Sequence, residues 1–197
     1  SQESIDMVNQ KYHDLKHQIA VLRSEVRSEE KTDCLDRMER EIKIYETQNK
    51  TGNEVLDAIL TSKSIYCQGQ NISLTCVADG RALHFMDTID ISSLFGNALD
   101  NAIESVRQIP EEESEKRLIH LSVVKQKGFV RIRVENYCEK EPVLKDGMPV
   151  TTKKDTRFHG YGLKSIQSTA RKYGGSVTAS VKNHWFELRI LLPEKAE

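Results

Sequence analysis

The sequence predicts an α+β chain: an N-terminal helical hairpin followed by a two-layer α/β domain. Three patterns predict it. Ile5, Val8, Tyr12, Leu15, Ile19, Leu22 and Val26 fall at alternating steps of three and four, the a/d seam of a heptad helix. Ile91, Leu94, Phe95, Ala98, Leu99, Ala102, Ile103 and Val106 form the stripe of an amphipathic helix packed on a core. Around that second helix, short runs of alternating or β-branched residues separated by turn residues read as strands.

The first heptad helix runs free of Pro and Gly to about residue 28. Glu29-Glu30-Lys31 and Thr32-Asp33 read as a polar turn. A second seam follows at Leu35, Met38, Ile42 and Tyr45. Two such helices make an antiparallel hairpin. A lone hairpin buries too little apolar surface, so two copies should pair into a dimeric four-helix bundle. The seam fails at Asn49-Lys50-Thr51-Gly52-Asn53. Thr51 and Glu54 have capping-box spacing, so a helix restarts there and continues towards Tyr66. Gln68-Gly69-Gln70-Asn71 ends it, which sets expected domains of residues 1–67 and 68–197.

In the second domain, residues 72–77 alternate as a half-buried strand should. Asp87 or Asp90 can cap the amphipathic helix, and Pro110 lies beyond its end. Residues 118–124 and 129–134 form a hairpin turned by Lys127-Gly128. Glu139 to His159 shows no periodicity and reads as a mobile lid carrying Lys145, Lys153, Lys154 and Arg157. A helix opens at Gly160-Tyr-Gly-Leu163 and stops at Gly174-Gly175. Residues 176–181 and 185–192 give a last hairpin. The order places helices on one face of a mixed sheet.

Composition narrows the function. The chain has 197 residues, 29 Lys plus Arg against 30 Asp plus Glu, and a net charge of -1. That balance argues against a dedicated nucleic-acid binder, whose phosphate contacts need a basic excess. No apolar run is long enough for a membrane span. No signal peptide is visible, and the chain opens mid-pattern without an initiator Met, as a fragment of something longer would. The four cysteines are scattered without metal spacing and read as reduced thiols, though a disulfide stays open.

Three motifs could carry chemistry. Asn97 and Asn101 lie one turn apart on one helix face. They are either solvated or ligands, and a neutral amide oxygen suits Mg²⁺ already bound by phosphates. His13-Asp14 sits off the heptad seam, with His17 on the same face as His13. That face is a solvated charged surface, a two-histidine metal pair, or a nucleophilic imidazole oriented by the adjacent carboxylate. Gly160-x-Gly162 at a helix start is either a plain turn or a backbone cradle for a phosphate.

Taken together, these motifs resemble a sensor histidine kinase of the GHKL superfamily, specifically the Gram-positive subgroup that includes the peptide-pheromone sensors. The resemblance rests on His13-Asp14, the Asp90…Leu99-Asp100-Asn101-Ala102 box, Thr152-Lys153 and Gly160-Tyr-Gly-Leu163. It implies a dimerisation and histidine-phosphotransfer bundle, then a Bergerat-type ATP-binding sandwich. It implies ATP and Mg²⁺ as cofactors, a homodimer, and transfer of phosphate from His13 to an aspartate of a response regulator receiver domain. Nucleic acid is not an implied partner. The implied setting is the cytoplasmic portion of a bacterial membrane-bound sensor, touching membrane only through a sensor region absent from this chain. Asn101 matches the metal-holding asparagine and Asn97 the one a turn earlier. Lys153 matches the lid lysine, and Gly160, Gly162 and Leu163 the second glycine box.

Two departures stand out. Members typically carry an Asp-x-Gly-x-Gly loop whose Asp bonds the adenine amino group. Here the chain reads Asn136-Tyr-Cys-Glu139, and Asn136 is the positional match. The position three after Asn101, often basic in such kinases, is Glu104. In the hydrolytic GHKL members a Glu four residues before the metal-binding Asn activates water. Asn97 occupies that place and cannot take the proton. The resemblance therefore implies a kinase. A degenerate platform that only dimerises and binds partners, and a GHKL ATPase, are the alternatives.

Overall fold

The structure, a computed structural model, describes residues 2–25, 29–46, 50–150 and 159–194. It divides into two compact units, Ser1–Gln48 and Asn49–Glu197.

The first unit is helix α1 (Gln2–Glu25) against helix α2 (Glu29–Glu46). Ile19 and Leu35, one from each seam, are buried. The Arg23 guanidinium bridges to Asp36 at 2.6 Å and Glu39 at 3.1 Å, which ties the two helices together. Glu29–Asp33, expected as the turn, are instead the first residues of α2. Acidic side chains favour the positive end of a helix dipole, so this polar run starts the helix and does not interrupt it. Leu15, Leu22 and Met38 of the seams are exposed.

The second unit begins with α3 (Glu54–Gly69) and β1 (Ser73–Ala78), followed by α4 (Thr88–Arg107). Next come β2 (Leu118–Gln126) and β3 (Phe129–Tyr137), then the two-residue strands β4 (Leu144–Lys145) and β5 (Met148–Pro149). Helix α5 (His159–Lys172), β6 (Ser176–Lys182) and β7 (Trp185–Pro193) complete it. The main sheet has the order β1-β2-β3-β7-β6, with β1 parallel to β2 and all other pairs antiparallel. Residues of α3, α4 and α5 share one core with Ile119, Leu121, Val130, Ile132, Val134, Leu188 and Ile190 of the sheet. The helices therefore cover one face of a mixed sheet.

The other face carries charge. Glu135 lies opposite Glu187 and Arg133 opposite Arg189. Like charges directly opposite destabilise a sheet. Here the diagonals offset it: Arg133 meets Glu187 at 2.9 Å and also Glu135, and Arg189 meets Glu187 at 2.7 Å.

Three expectations need correction. The N-cap of α3 is Asn53, whose side chain accepts from Leu56 N at 3.0 Å. Thr51 instead donates its amide and its hydroxyl to Asp57 Oδ1, each at 2.7 Å. Asn53 directly precedes the first helical residue, and Asn is among the preferred caps. Further, α3 packs with the second unit: Leu56, Leu60 and Cys67 lie in its core. The compact unit thus starts at Asn49, not at residue 68. The expected lid also has a structured base, because β4 and β5 pair and Ala179 N on β6 donates to Gly147 O at 2.9 Å. Lys153, Lys154 and Arg157 lie outside the described residues. Among the described residues no helix is long and apolar enough to cross a membrane.

Arg117 pins the layers from inside. It is buried, and its guanidinium donates to Ile109 O at 2.6 and 2.9 Å and to Gln70 O at 2.8 Å. It therefore joins the segment after α4 to the end of α3. Arg117→Ala should leave both carbonyls without a donor and lower unfolding stability by roughly 2–4 kcal/mol, as expected for buried hydrogen bonds from a charged group. Urea denaturation measures it, and a loss below about 0.5 kcal/mol, the range of a neutral surface change, would contradict the role.

Candidate functional site

Burial of the apolar stripe of α4 sets its rotation. All eight stripe residues are in the core. Ser93, Asn97, Asn101 and Ser105 repeat every four residues and so form a polar line along another side of that helix. Asn97 Nδ2 donates to Ser93 Oγ at 3.4 Å, and Ser93 Oγ pairs with Ser165 Oγ of α5 at 3.2 Å.

The first turn of α5 lies against this line. A Cβ at Gly162 would sit 3.3 Å from Asn101 Oδ1 and 3.8 Å from Asn97 Oδ1. Glycine there keeps the space over both amide oxygens open. Asn97, Asp100, Asn101, Glu104, Tyr161, Gly162 and Ser165 line the resulting cleft. Asp100 is held by Lys63 Nζ at 2.5 Å.

A second cavity of about 210 Å³ shares Asn101 with the cleft. Ala98, Ala102, Val134, Leu163, Phe186 and Leu188 give it apolar walls, and Ser105, Gln108 and Asn136 its polar groups. Lys140, Pro142, Pro149 and Val150, from the segment that carries β4 and β5, close it. Asn136 is 2 % exposed and donates to Ser105 Oγ at 3.0 Å and Tyr137 O at 3.1 Å. Burial pushes the Cys138 thiol, also in this wall, above its usual range, so it stays a neutral lining group. An apolar slot with a few convergent polar groups, adjoining an amide-lined cleft at a helix start, suits a flat heterocycle joined to an anionic tail.

The far ends of α4 and α5 are clamped. Tyr173 Oη donates to Asp90 Oδ2 at 2.5 Å and accepts from Asp87 N at 2.9 Å. Lys172 Nζ reaches the same Asp90 oxygen at 2.6 Å. Lys172 and Tyr173 together hold the Asp90 carboxyl below its usual range, and Asp90 with Asp87 raises Lys172. Asp87 is the N-cap residue but makes no side-chain cap bond.

Several expected residues therefore converge. Asn97, Asn101 and Gly162 meet in the cleft, and Asn101, Asn136 and Leu163 in the cavity. Gly160 lies in the first turn of α5. Lys153 is outside the described residues, and so is the His13 side chain, although its backbone belongs to α1. Asp14 is exposed on α1, in the other compact unit. Ser105 and Ser93 escaped the sequence reading, although their four-residue spacing to the asparagines was visible in it.

Residues 86–193, more than half of the chain, match a protein family described as a GHKL domain. Two crystal forms of the nucleotide-free catalytic domain of histidine kinase ThkA superpose with TM-scores of 0.57 and 0.55, both at 19% identity. They cover 74% and 73% of this chain and 93% and 94% of theirs, a likeness of fold. Acinetobacter baumannii histidine kinase AdeS covers 95% of this chain and 97% of its own at 10% identity, with a TM-score of 0.49 that carries no weight. No curated protein matches the sequence.

The open space at Gly162 yields a test. Gly162→Ala should still fold, since Ala is the better helix former by up to about 1 kcal/mol and the added Cβ meets the movable end of the Asn101 side chain. It should nonetheless weaken nucleotide binding by at least about ten-fold, a modest cost for filling a binding cleft. Calorimetric titration and thermal unfolding measure the pair. Unchanged affinity would separate the cleft from nucleotide.

Proposed function

The chain belongs to the GHKL domain family, and from that premise we propose that it is the catalytic core of a sensor histidine kinase. In this reading it phosphorylates itself on His13 from ATP, then passes the phosphoryl group to an aspartate of a receiver domain. In this reading it resembles the Gram-positive peptide-pheromone sensors. It would work as a homodimer on the cytoplasmic side of a sensor whose membrane region lies outside this sequence.

One observation carries the reading: the amide pair Asn97 and Asn101 faces Gly162 across an open cleft, with no carboxylate at position 97. The residues fit Mg²⁺-ATP. Asn101 offers a neutral oxygen to an ion whose charge the phosphates already balance, and Gly162 leaves room beside that oxygen. The ion would neutralise charge that develops on the transferring phosphoryl group. The amides of the Gly160–Gly162 turn would bind phosphate oxygens, and Lys153 would approach them from the lid. The apolar cavity with Asn136 would take the adenine. Phosphoryl transfer needs alignment more than covalent help, so the remaining requirement is a nucleophile in line. His13 would supply a ring nitrogen, and Asp14 would hold its imidazole in the attacking tautomer.

Glu104 favours a second reading. It lines the same cleft as Asn101, and a carboxylate in that position suits activation of water, as in an ATPase. Incubation with γ-labelled ATP separates the two. A kinase leaves an acid-labile, base-stable phosphate on the protein. An ATPase releases inorganic phosphate and loses that activity in Glu104→Gln. A chain that does neither is a binding platform.

His13→Gln should abolish the protein-bound label while ATP affinity holds. Asp14→Asn should slow labelling by roughly a hundred-fold, the usual scale for an acid–base partner. His17→Gln should matter little. Label that persists in His13→Gln would remove His13 as nucleophile.

The dimer rests on the seams. Leu15 and Leu22 are 37% and 48% exposed in the single chain, which leaves apolar surface for a second copy to cover. Leu15→Asp with Leu22→Asp should sediment as a monomer where the wild type is a dimer, at concentrations on the order of tens of micromolar. A monomeric wild type at that concentration would remove the bundle.

A further inference from the structure

We propose that Ser105 is a specificity-determining residue that makes the base end of the site selective for adenine. The inference rests on the nucleotide-site reading above and deepens it. It starts from the orientation of one amide. Tyr137 O can only accept a hydrogen bond, so the Asn136 atom 3.1 Å from it must be the NH₂ group. The other hydrogen of that NH₂ goes to Ser105 Oγ at 3.0 Å. Both amide hydrogens are then committed, and turning the amide over would set its oxygen against Tyr137 O. What Asn136 presents to the cavity is an acceptor, Oδ1, and among the described residues no donor reaches it.

The bond also polarises Ser105. Its oxygen accepts from Asn136, so its own proton must point elsewhere, and among the described residues no acceptor takes it. Both residues line the cavity that shares Asn101 with the cleft. The cavity therefore displays an acceptor beside a donor. That pair matches the Watson–Crick edge of adenine, whose 6-amino group donates and whose N1 accepts. Guanine or hypoxanthine would set O6 against Oδ1, acceptor against acceptor, and leave a buried polar pair unmade. Sites built around such hydrogen bonds reject the mismatched analogue strongly. In this account Ser105 acts twice: with Tyr137 O it takes up the amide hydrogens, and it reads N1 directly.

Removing N1 from the ligand and the hydroxyl from the protein tests both parts. ADP and 1-deaza-ADP, which keeps the amino group but has C–H in place of N1, are titrated calorimetrically into the full 197-residue chain, into Ser105→Ala and into Ser105→Thr. The wild type should bind ADP about ten-fold more tightly than the deaza compound, the scale of one buried hydrogen bond left unmade. Ser105→Ala should bind the two equally, and Ser105→Thr, which restores the hydroxyl, should recover the preference. IDP should stay the weaker ligand in Ser105→Ala, because Tyr137 O still holds the amide with its oxygen free for the 6-amino group. A preference for ADP over 1-deaza-ADP that survives in Ser105→Ala overturns the role, whatever the absolute affinities. No binding of ADP to the wild type overturns the nucleotide site itself, and the inference with it.

Discussion

Burying eight apolar side chains leaves helix α4 one rotational setting. Everything on its other sides follows. The line Ser93, Asn97, Asn101, Ser105 must then emerge where α5 packs and where β3 ends. Two amides and two hydroxyls facing a neighbouring helix would be costly if nothing met them. Ser165 meets one end and Asn136 the other, and Gly162 leaves the middle open. The cleft is thus a deliberate gap in a well-satisfied polar seam.

Helix α5 is located by both of its ends. Near its start it carries no side chain at Gly162, so the backbone comes close to Asn101. Just past its finish, Tyr173 and neighbouring Lys172 grip Asp90 at the beginning of α4. The two helices run antiparallel as a result. A shift at the Asp90 clamp would be felt at the glycine turn, because a helix transmits displacement along its length.

How much of this could be read from sequence depended on range. The eight-residue stripe of α4 was legible because packing on a core imposes a local period, and every residue it named is buried. The strand runs and the glycine turn were legible for the same reason. The allegiance of α3 was not. Its apolar pattern runs on from the heptads, and only the contact with α4 and β1 shows which core Leu56 and Leu60 enter. Arg117 was invisible, because its acceptors are carbonyls that leave no trace in residue type. The bond from Asn136 to Ser105 spans 31 positions, so the spacing that revealed the asparagine pair stopped short of the residue completing it.

The small β4–β5 hairpin sits beside β6, one of the two outer strands of the sheet, with Gly147 O taking the Ala179 amide. An uncovered outer strand is a template on which another chain can add its own. The polar residues Ser176, Thr178, Ser180 and Lys182 discourage such growth, and the hairpin obstructs it. The β4–β5 hairpin therefore shields part of that edge. An engineered lid deletion that removed residues 144–149 would trade access to the cavity for an open strand, and would be expected to fail first in solubility.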